Sequence, residues 1–174
     1  MLPHDVKKKF KLLIVGPRAS GFNIVEESDP YVRYVYSAVE RLDLRDNVVF
    51  IGSVPEQELP KYYSASDFLV HTSLVEAFGL TLVEALACGK PIIAFDVPPI
   101  NEIIKPHIGL LAKVSIKDLA SKIEELIVNE HLRKTLSLNA RNFVLDNYSW
   151  NTIIKRYIDV YKLCMNSAKD YLRG

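Results

Sequence analysis

Short apolar runs alternate with segments of helical period along the chain, the pattern of βα units wound into a parallel sheet. Residues 10–15 form the first run, apolar without strict alternation as in a strand buried on both faces, and it stops at Gly16-Pro17. Asp29-Pro30 then supplies an N-cap and a first-turn proline, and Val32, Val35, Tyr36, Val39 and Leu42 recur at helical spacing. Residues 48–51 predict the next strand. Residues 55–64 predict one short helix with Glu56 and Glu58 in its first turn, where the helix dipole favours acids. Strands are predicted at 68–71 and 91–95, on either side of a helix at 79–87 that Gly89 stops. A final short strand is expected around Gly109, Leu110 and Leu111, followed by a helix whose capping box is Ser115-x-x-Asp118. Two more helices close the chain. The last, at 149–170, opens at Ser149 and carries a wide stripe of Trp150, Ile153, Ile154, Tyr157, Ile158 and Tyr161.

This order predicts an α/β fold, a Rossmann-like parallel sheet with flanking helices followed by C-terminal helices. No repeat or Gly/Ser-rich linker divides the 174 residues, so one domain over 1–174 is expected. Hydrophobic residues make up 49% and charged residues 25%, the balance of a folded chain. The 22 basic and 21 acidic residues nearly cancel, which removes any bulk electrostatic reason to expect nucleic acid or an anionic membrane as partner. A bound anion must therefore be held by local geometry. Two cysteines, Cys88 and Cys164, make no disulfide framework or metal-ligand spacing and suggest a reducing compartment. The first apolar run is shorter than a signal-peptide core, and no segment reads as a membrane span, so a cytoplasmic location is expected.

Residues 71–91, HTSLVEAFGLTLVEALACGKP, carry the chemistry. They run from a strand through a loop into a helix N-terminus, at the sheet edge where doubly wound folds bind ligands. The first amides of that helix, from Phe78, Gly79, Leu80 and Thr81, are candidates to hold an anion, and Gly79 would let a ligand approach the backbone. Glu76 and Glu84 flank the turn. A fully helical interval would separate them by about 12 Å, beyond the roughly 5 to 9.5 Å of a paired acid and base. Separate roles follow, one carboxylate accepting the two hydroxyls of a ribose and the other those of a second sugar. Taken alone, each glutamate also fits a solvated position.

The phrase E-AFGLTLV-E-ALACGKP resembles the E-x7-E signature of retaining GT-B glycosyltransferases, family 4. Asn47 to Pro55 in the strand before the base pocket, the Y-x-x-A-D-like stretch at 62–68, and Tyr148-Ser149-Trp150 near the tail resemble the same family in the same order. The resemblance implies the donor-binding half of such an enzyme. It assigns Glu84 to the donor ribose, Glu76 to the transferred sugar near the reacting carbon, and Phe78, Gly79, Leu80 and Thr81 to the sugar hydroxyls and diphosphate. Val54 would line the base pocket and Gly16 would begin the loop near the phosphates. Arg18, outside the family pattern, is a cation that could face them. Ser53, His71 and Ser73 also lie at strand ends, where such residues are more often structural. The donor substrate implied is a nucleotide diphosphate sugar, with no cofactor and no obligatory metal.

Several departures qualify the expectation. The first strand here matches the family's second, so the opening strand and helix, their arginine and lysine, and the N-terminal acceptor domain are expected to be missing from these 174 residues. Lys7, Lys8 and Lys9 lie on the wrong side of a strand to replace those cations. Pro98-Pro99 stands where the family often has a Gly-Gly pair, and Pro99 has no amide to give. The function expected is transfer of a sugar to an acceptor hydroxyl with retention, inactive in isolation. The alternative is a nucleotide-sugar-binding subunit or sensor without catalysis of its own; a structural domain with a vestigial motif is a third reading. Loss of a central strand leaves either a repacked sheet or an open edge, so an acceptor domain, a partner chain or a homo-oligomer is expected to cover it. Peripheral membrane association is common in the family, though nothing here is a membrane anchor.

Overall fold

A computed structural model of the chain describes residues 10–16 and 30–171, with side chains through residue 166. Its strands are β1 (Leu12–Val15), β2 (Val48–Gly52), β3 (Leu69–His71), β4 (Ile92–Phe95) and β5 (Gly109–Ala112). Its α-helices are α1 (Pro30–Arg41), α2 (Leu59–Ala65), α3 (Leu80–Ala87), α4 (Ile100–Ile103), α5 (Ile116–Val128), α6 (Glu130–Tyr148) and α7 (Trp150–Tyr171). The α/β alternation read from the sequence is therefore present, and every strand pairing is parallel.

The strands form two sheets. One pairs β1 with β2, with Leu12 opposite Val48, Ile14 opposite Phe50 and a register shift before Val15. The other has the order β3-β4-β5, with Ile92 between Leu69 and Gly109. Among the described residues β1 and β3 each pair on one side only, as do β2 and β5 at the other ends of their sheets. A continuously apolar strand suits burial on both faces, yet Leu12 and Leu13 remain 42% and 37% exposed.

The three-stranded sheet is covered on both faces because β4 is apolar throughout. Ile92 and Ala94 meet Leu82, Ala85 and Leu86 of α3, Ile100 and Ile103 of α4, and Ala140 and Val144 of α6. Ile93 points the other way, to Leu126 of α5 and Leu136 of α6, as the period-2 alternation of a strand requires. Each fully buried aliphatic side chain here contributes about 1.5–3 kcal/mol relative to exposure. The two-stranded sheet has its own cluster, Val32, Tyr36 and Val39 of α1 against Val48 and Phe50, with the Tyr36 and Phe50 rings 4.4 Å apart.

Local differences from the sequence expectations have local causes. The helix expected over 55–64 is split into a 3₁₀ turn (Glu56–Glu58) and α2, because Pro60 has no amide to continue a helix from Glu56 and begins a new one instead. Ser115 takes the N-cap position of α5 but its hydroxyl caps nothing; its amide bonds the Lys113 carbonyl, and the Asp118 carboxylate accepts from the Lys113 amide at 2.7 Å. α7 opens after Ser149, and Ser149 Oγ accepts from the Thr152 amide at 3.3 Å. Past its first turn α7 leaves the body of the fold, so that Ile154, Tyr157, Ile158 and Tyr161 are 45–64% exposed. No helix of the described residues is long and apolar enough to cross a membrane. Asp29, the expected cap of α1, lies outside the described residues.

The close approach of β5 to β4 needs a residue without a side chain. A Cβ on Gly109 would stand 2.5 Å from the Ile92 carbonyl oxygen and 3.0 Å from Ile104 Cγ2. Gly109→Ala is expected to lower the unfolding free energy by about 1–3 kcal/mol, read as a lower urea midpoint at unchanged slope. An unchanged midpoint would show that the two strands separate freely.

Candidate functional site

β3 delivers the chain to the C-terminal edge of its sheet, where residues 72–79 form a loop before α3. The Ser73 hydroxyl donates to the Val75 carbonyl at 2.7 Å and folds this loop on itself, a structural role. Phe78 leans on Tyr148 at the end of α6, edge to face with ring centroids 6.0 Å apart. Burial pushes the Tyr148 hydroxyl up from its ordinary value, with Arg156 opposing and Glu102 adding to the shift.

Gly79 is the N-cap of α3, at φ +84° and ψ +53°. In this left-handed conformation a Cβ would sit 2.8 Å from Leu82 Cδ1 and 3.5 Å from Glu76 Cγ. The glycine is thus required by the backbone turn and by the packing of Leu82 beneath it, a reason distinct from the ligand access read from the sequence. The first bonds of the helix are made by Leu82 and Val83, both to the Gly79 carbonyl. The amides of Phe78, Gly79, Leu80 and Thr81 precede them and have no acceptor among the described residues.

The two glutamates belong to separate networks. Glu76 sits in the loop with its side chain 26% exposed; its Oε1 accepts from the Ala77 amide at 3.1 Å, and its Oε2 lies 3.3 Å from His71 Nε2. That nitrogen is buried without a hydrogen bond, so the pair has the distance of an ion contact but not the geometry of a hydrogen bond. Glu84, half-buried on α3, accepts a hydrogen bond on Oε2 from the Tyr63 hydroxyl of α2 at 2.9 Å. Desolvation first, and then the Glu84 carboxylate, drive the Tyr63 hydroxyl well above its ordinary value and keep it a neutral donor. The stretch from Glu76 to Gly79 is not helical, so the fully helical separation used above does not describe this pair.

The other sequence-predicted residues stand elsewhere. Gly16 follows β1 and donates its amide to the Gly52 carbonyl at 3.0 Å, which ties the ends of β1 and β2 together; a Cβ there would meet open space. Half-buried Val54 and exposed Ser53 follow β2. Among the described residues no hydrogen bond or ion pair joins this group to Glu76 or Glu84, and the strands that the two groups follow belong to different apolar clusters. Arg18 lies outside the described residues. Sequence reasoning missed Tyr63 as a partner of Glu84 and left His71 as a structural residue. The Y-x-x-A-D-like stretch drew attention to the helix that carries Tyr63, but not to what its hydroxyl meets.

Residues 1–143 match the model of the family described as Glycosyl transferases group 1. The chain belongs to this family. An uncharacterised glycosyltransferase of Methanocaldococcus jannaschii is 32% identical over 134 residues, covering 76% of this chain and 34% of its own length. The fold of this glycosyltransferase domain superposes on sucrose-phosphate synthase from Thermosynechococcus elongatus with a TM-score of 0.75 at 30% identity, over 90% of this chain and 39% of that one. It also superposes on the Anabaena protein HepE, solved in complex with UDP, with a TM-score of 0.76 at 25% identity, over 88% of this chain and 41% of that one. The chain is thus a C-terminal GT-B glycosyltransferase domain that spans about a third to two-fifths of these relatives.

The turn at Gly79 sets where α3 of this glycosyltransferase domain begins. Gly79→Ala is expected to destabilise by about 1–3 kcal/mol through left-handed strain and displacement of Leu82. Thermal melting of the two proteins side by side checks it, and equal midpoints would refute the backbone reading.

Proposed function

We propose that this glycosyltransferase domain binds the donor of a retaining, family 4 type reaction, in which a sugar passes from a nucleotide diphosphate sugar to an acceptor hydroxyl. One observation carries the reading: two glutamates on independent networks lie on either side of a helix start whose first amides have no acceptor among the described residues. Glu84 takes the ribose diol, since an ionised carboxylate only accepts and each of two adjacent hydroxyls has a proton to donate. The amides of Phe78, Gly79, Leu80 and Thr81, at the positive end of the α3 dipole, take the diphosphate and sugar hydroxyls. Glu76 binds the transferred sugar, close to the reacting carbon. Gly16 and Val54 contribute from the other sheet, to the phosphates and the base. The UDP held by the Anabaena relative supports a nucleotide diphosphate as ligand.

The chemistry needs no metal in this reading, because the amides and the dipole meet the charge of the diphosphate. Charge develops on the leaving diphosphate in the transition state, and positioned donors there are worth orders of magnitude in rate. The acceptor side is supplied from outside these residues, so binding without turnover is the expected behaviour of the chain alone. The binding-subunit reading shares that expectation; hydrolysis or transfer by the isolated chain would exclude it.

Calorimetric titration with UDP, GDP and ADP is expected to show binding of at least one of them. Glu84→Ala should weaken that binding by about tenfold or more, the worth of a hydrogen bond to a charged group. No heat with any nucleotide would refute the donor-site reading.

Self-association forms part of the same proposal. The unpaired edges of β1 and β3 and the exposed Trp150, Ile154, Tyr157 and Tyr161 of α7 are apolar or hydrogen-bonding surfaces without cover among the described residues. Light scattering is expected to give a mass above 19.8 kDa, that of one chain. A monomer that binds no hydrophobic dye would overturn it.

A further inference from the structure

The Tyr63 hydroxyl donates to Glu84 Oε2 across 21 positions of sequence, from α2 to α3. Its ring, half-buried, packs against the apolar cluster that includes Leu82, Leu86 and Ile92, so the hydroxyl is carried by a side chain that rests on the core. An aromatic ring with two torsions loses little freedom in such a position, unlike a lysine or arginine partner. Glu84 is half-buried, and its other oxygen, Oε1, accepts no hydrogen bond among the described residues.

We propose that Tyr63 is a positioning residue: by holding Glu84 Oε2 it fixes the carboxylate plane so that Oε1 is presented to the ribose diol of the donor nucleotide. The inference rests on the donor-site reading and adds to it the residue that sets ribose recognition. Three physical points support it. A carboxylate has about four acceptor sites, so one bond from Tyr63 leaves enough for two ribose hydroxyls. A tyrosine donor leaves the carboxylate its full negative charge, which a lysine or arginine would partly neutralise. Burial together with the neighbouring carboxylate disfavours the phenolate, so the donor persists across the whole neutral range.

A bond that only ties α2 to α3 would also be lost in Tyr63→Phe, so stability alone does not separate the two roles. Discrimination for the ribose does. Whichever of UDP, GDP and ADP binds the chain most tightly is compared with its 2′,3′-dideoxy form, on the wild type, Glu84→Ala and Tyr63→Phe. The wild type is expected to prefer the ribonucleotide, and Glu84→Ala to lose that preference. Tyr63→Phe should reduce the preference by about threefold to tenfold while its affinity for the dideoxy form stays at the wild-type value. Tyr63→Met, which keeps an apolar side chain in that position, gives the same reading should the phenylalanine variant fold poorly. Full preference retained in both Tyr63 variants, with Glu84→Ala having lost it, would overturn the positioning role and leave the donor site intact. Preference retained in Glu84→Ala, or no nucleotide bound at all, would overturn the donor-site reading itself.

Discussion

The turn at Gly79 is the constraint on which the rest of the site depends. A left-handed residue there lets α3 begin with Leu82 already at full burial, directly beneath the glycine. Ala85 and Leu86 then continue the buried face against β4. Glu84 lies two positions from Leu82, which at about 100° per residue turns it well away from that face and toward α2. The amides of Phe78 to Thr81 have no acceptor among the described residues. One backbone conformation thus sets the core packing, those donors and the direction of Glu84, so fold and candidate site share a single local determinant.

The fold was legible in the sequence wherever a local pattern decides the outcome. The apolar run at β4 and the helical spacing in α1 and α5 are both local patterns, and their residues supply the buried core. The same run of apolar residues at β1 produces a strand that is partly exposed, because composition tells what a strand would bury and not whether a neighbour is there to bury it. Pro60 was visible as a residue, but its effect on the helix at 55–64 depends on which carbonyl its ring would meet.

At the candidate site the two glutamates and the helix start were legible, since their spacing is local. Their partners were not. Tyr63 and Glu84 are brought together by the packing of two helices, and His71 meets Glu76 because the loop folds back over the end of β3. Such pairs are tertiary facts with no signature in a single sequence. Gly79 was legible as a glycine at a loop-helix junction, yet the reason for it, a Cβ 2.8 Å from Leu82, needed the packed core.

The division into two sheets bears on what a ligand would do to the fold. Gly16 and Val54 follow β1 and β2, which pack with α1, whereas Glu76 and the amides follow β3 and Glu84 lies on α3, which packs with β4. A nucleotide diphosphate sugar that engages both sets adds contacts between two parts that share no hydrogen bond at the site. Binding to the folded arrangement alone stabilises it, by about 2.7 kcal/mol when the free ligand is a hundred times its dissociation constant. That is comparable to one buried aliphatic side chain. On the proposed reading, a donor that engages both sets would therefore link the two sheets as well as serve as substrate.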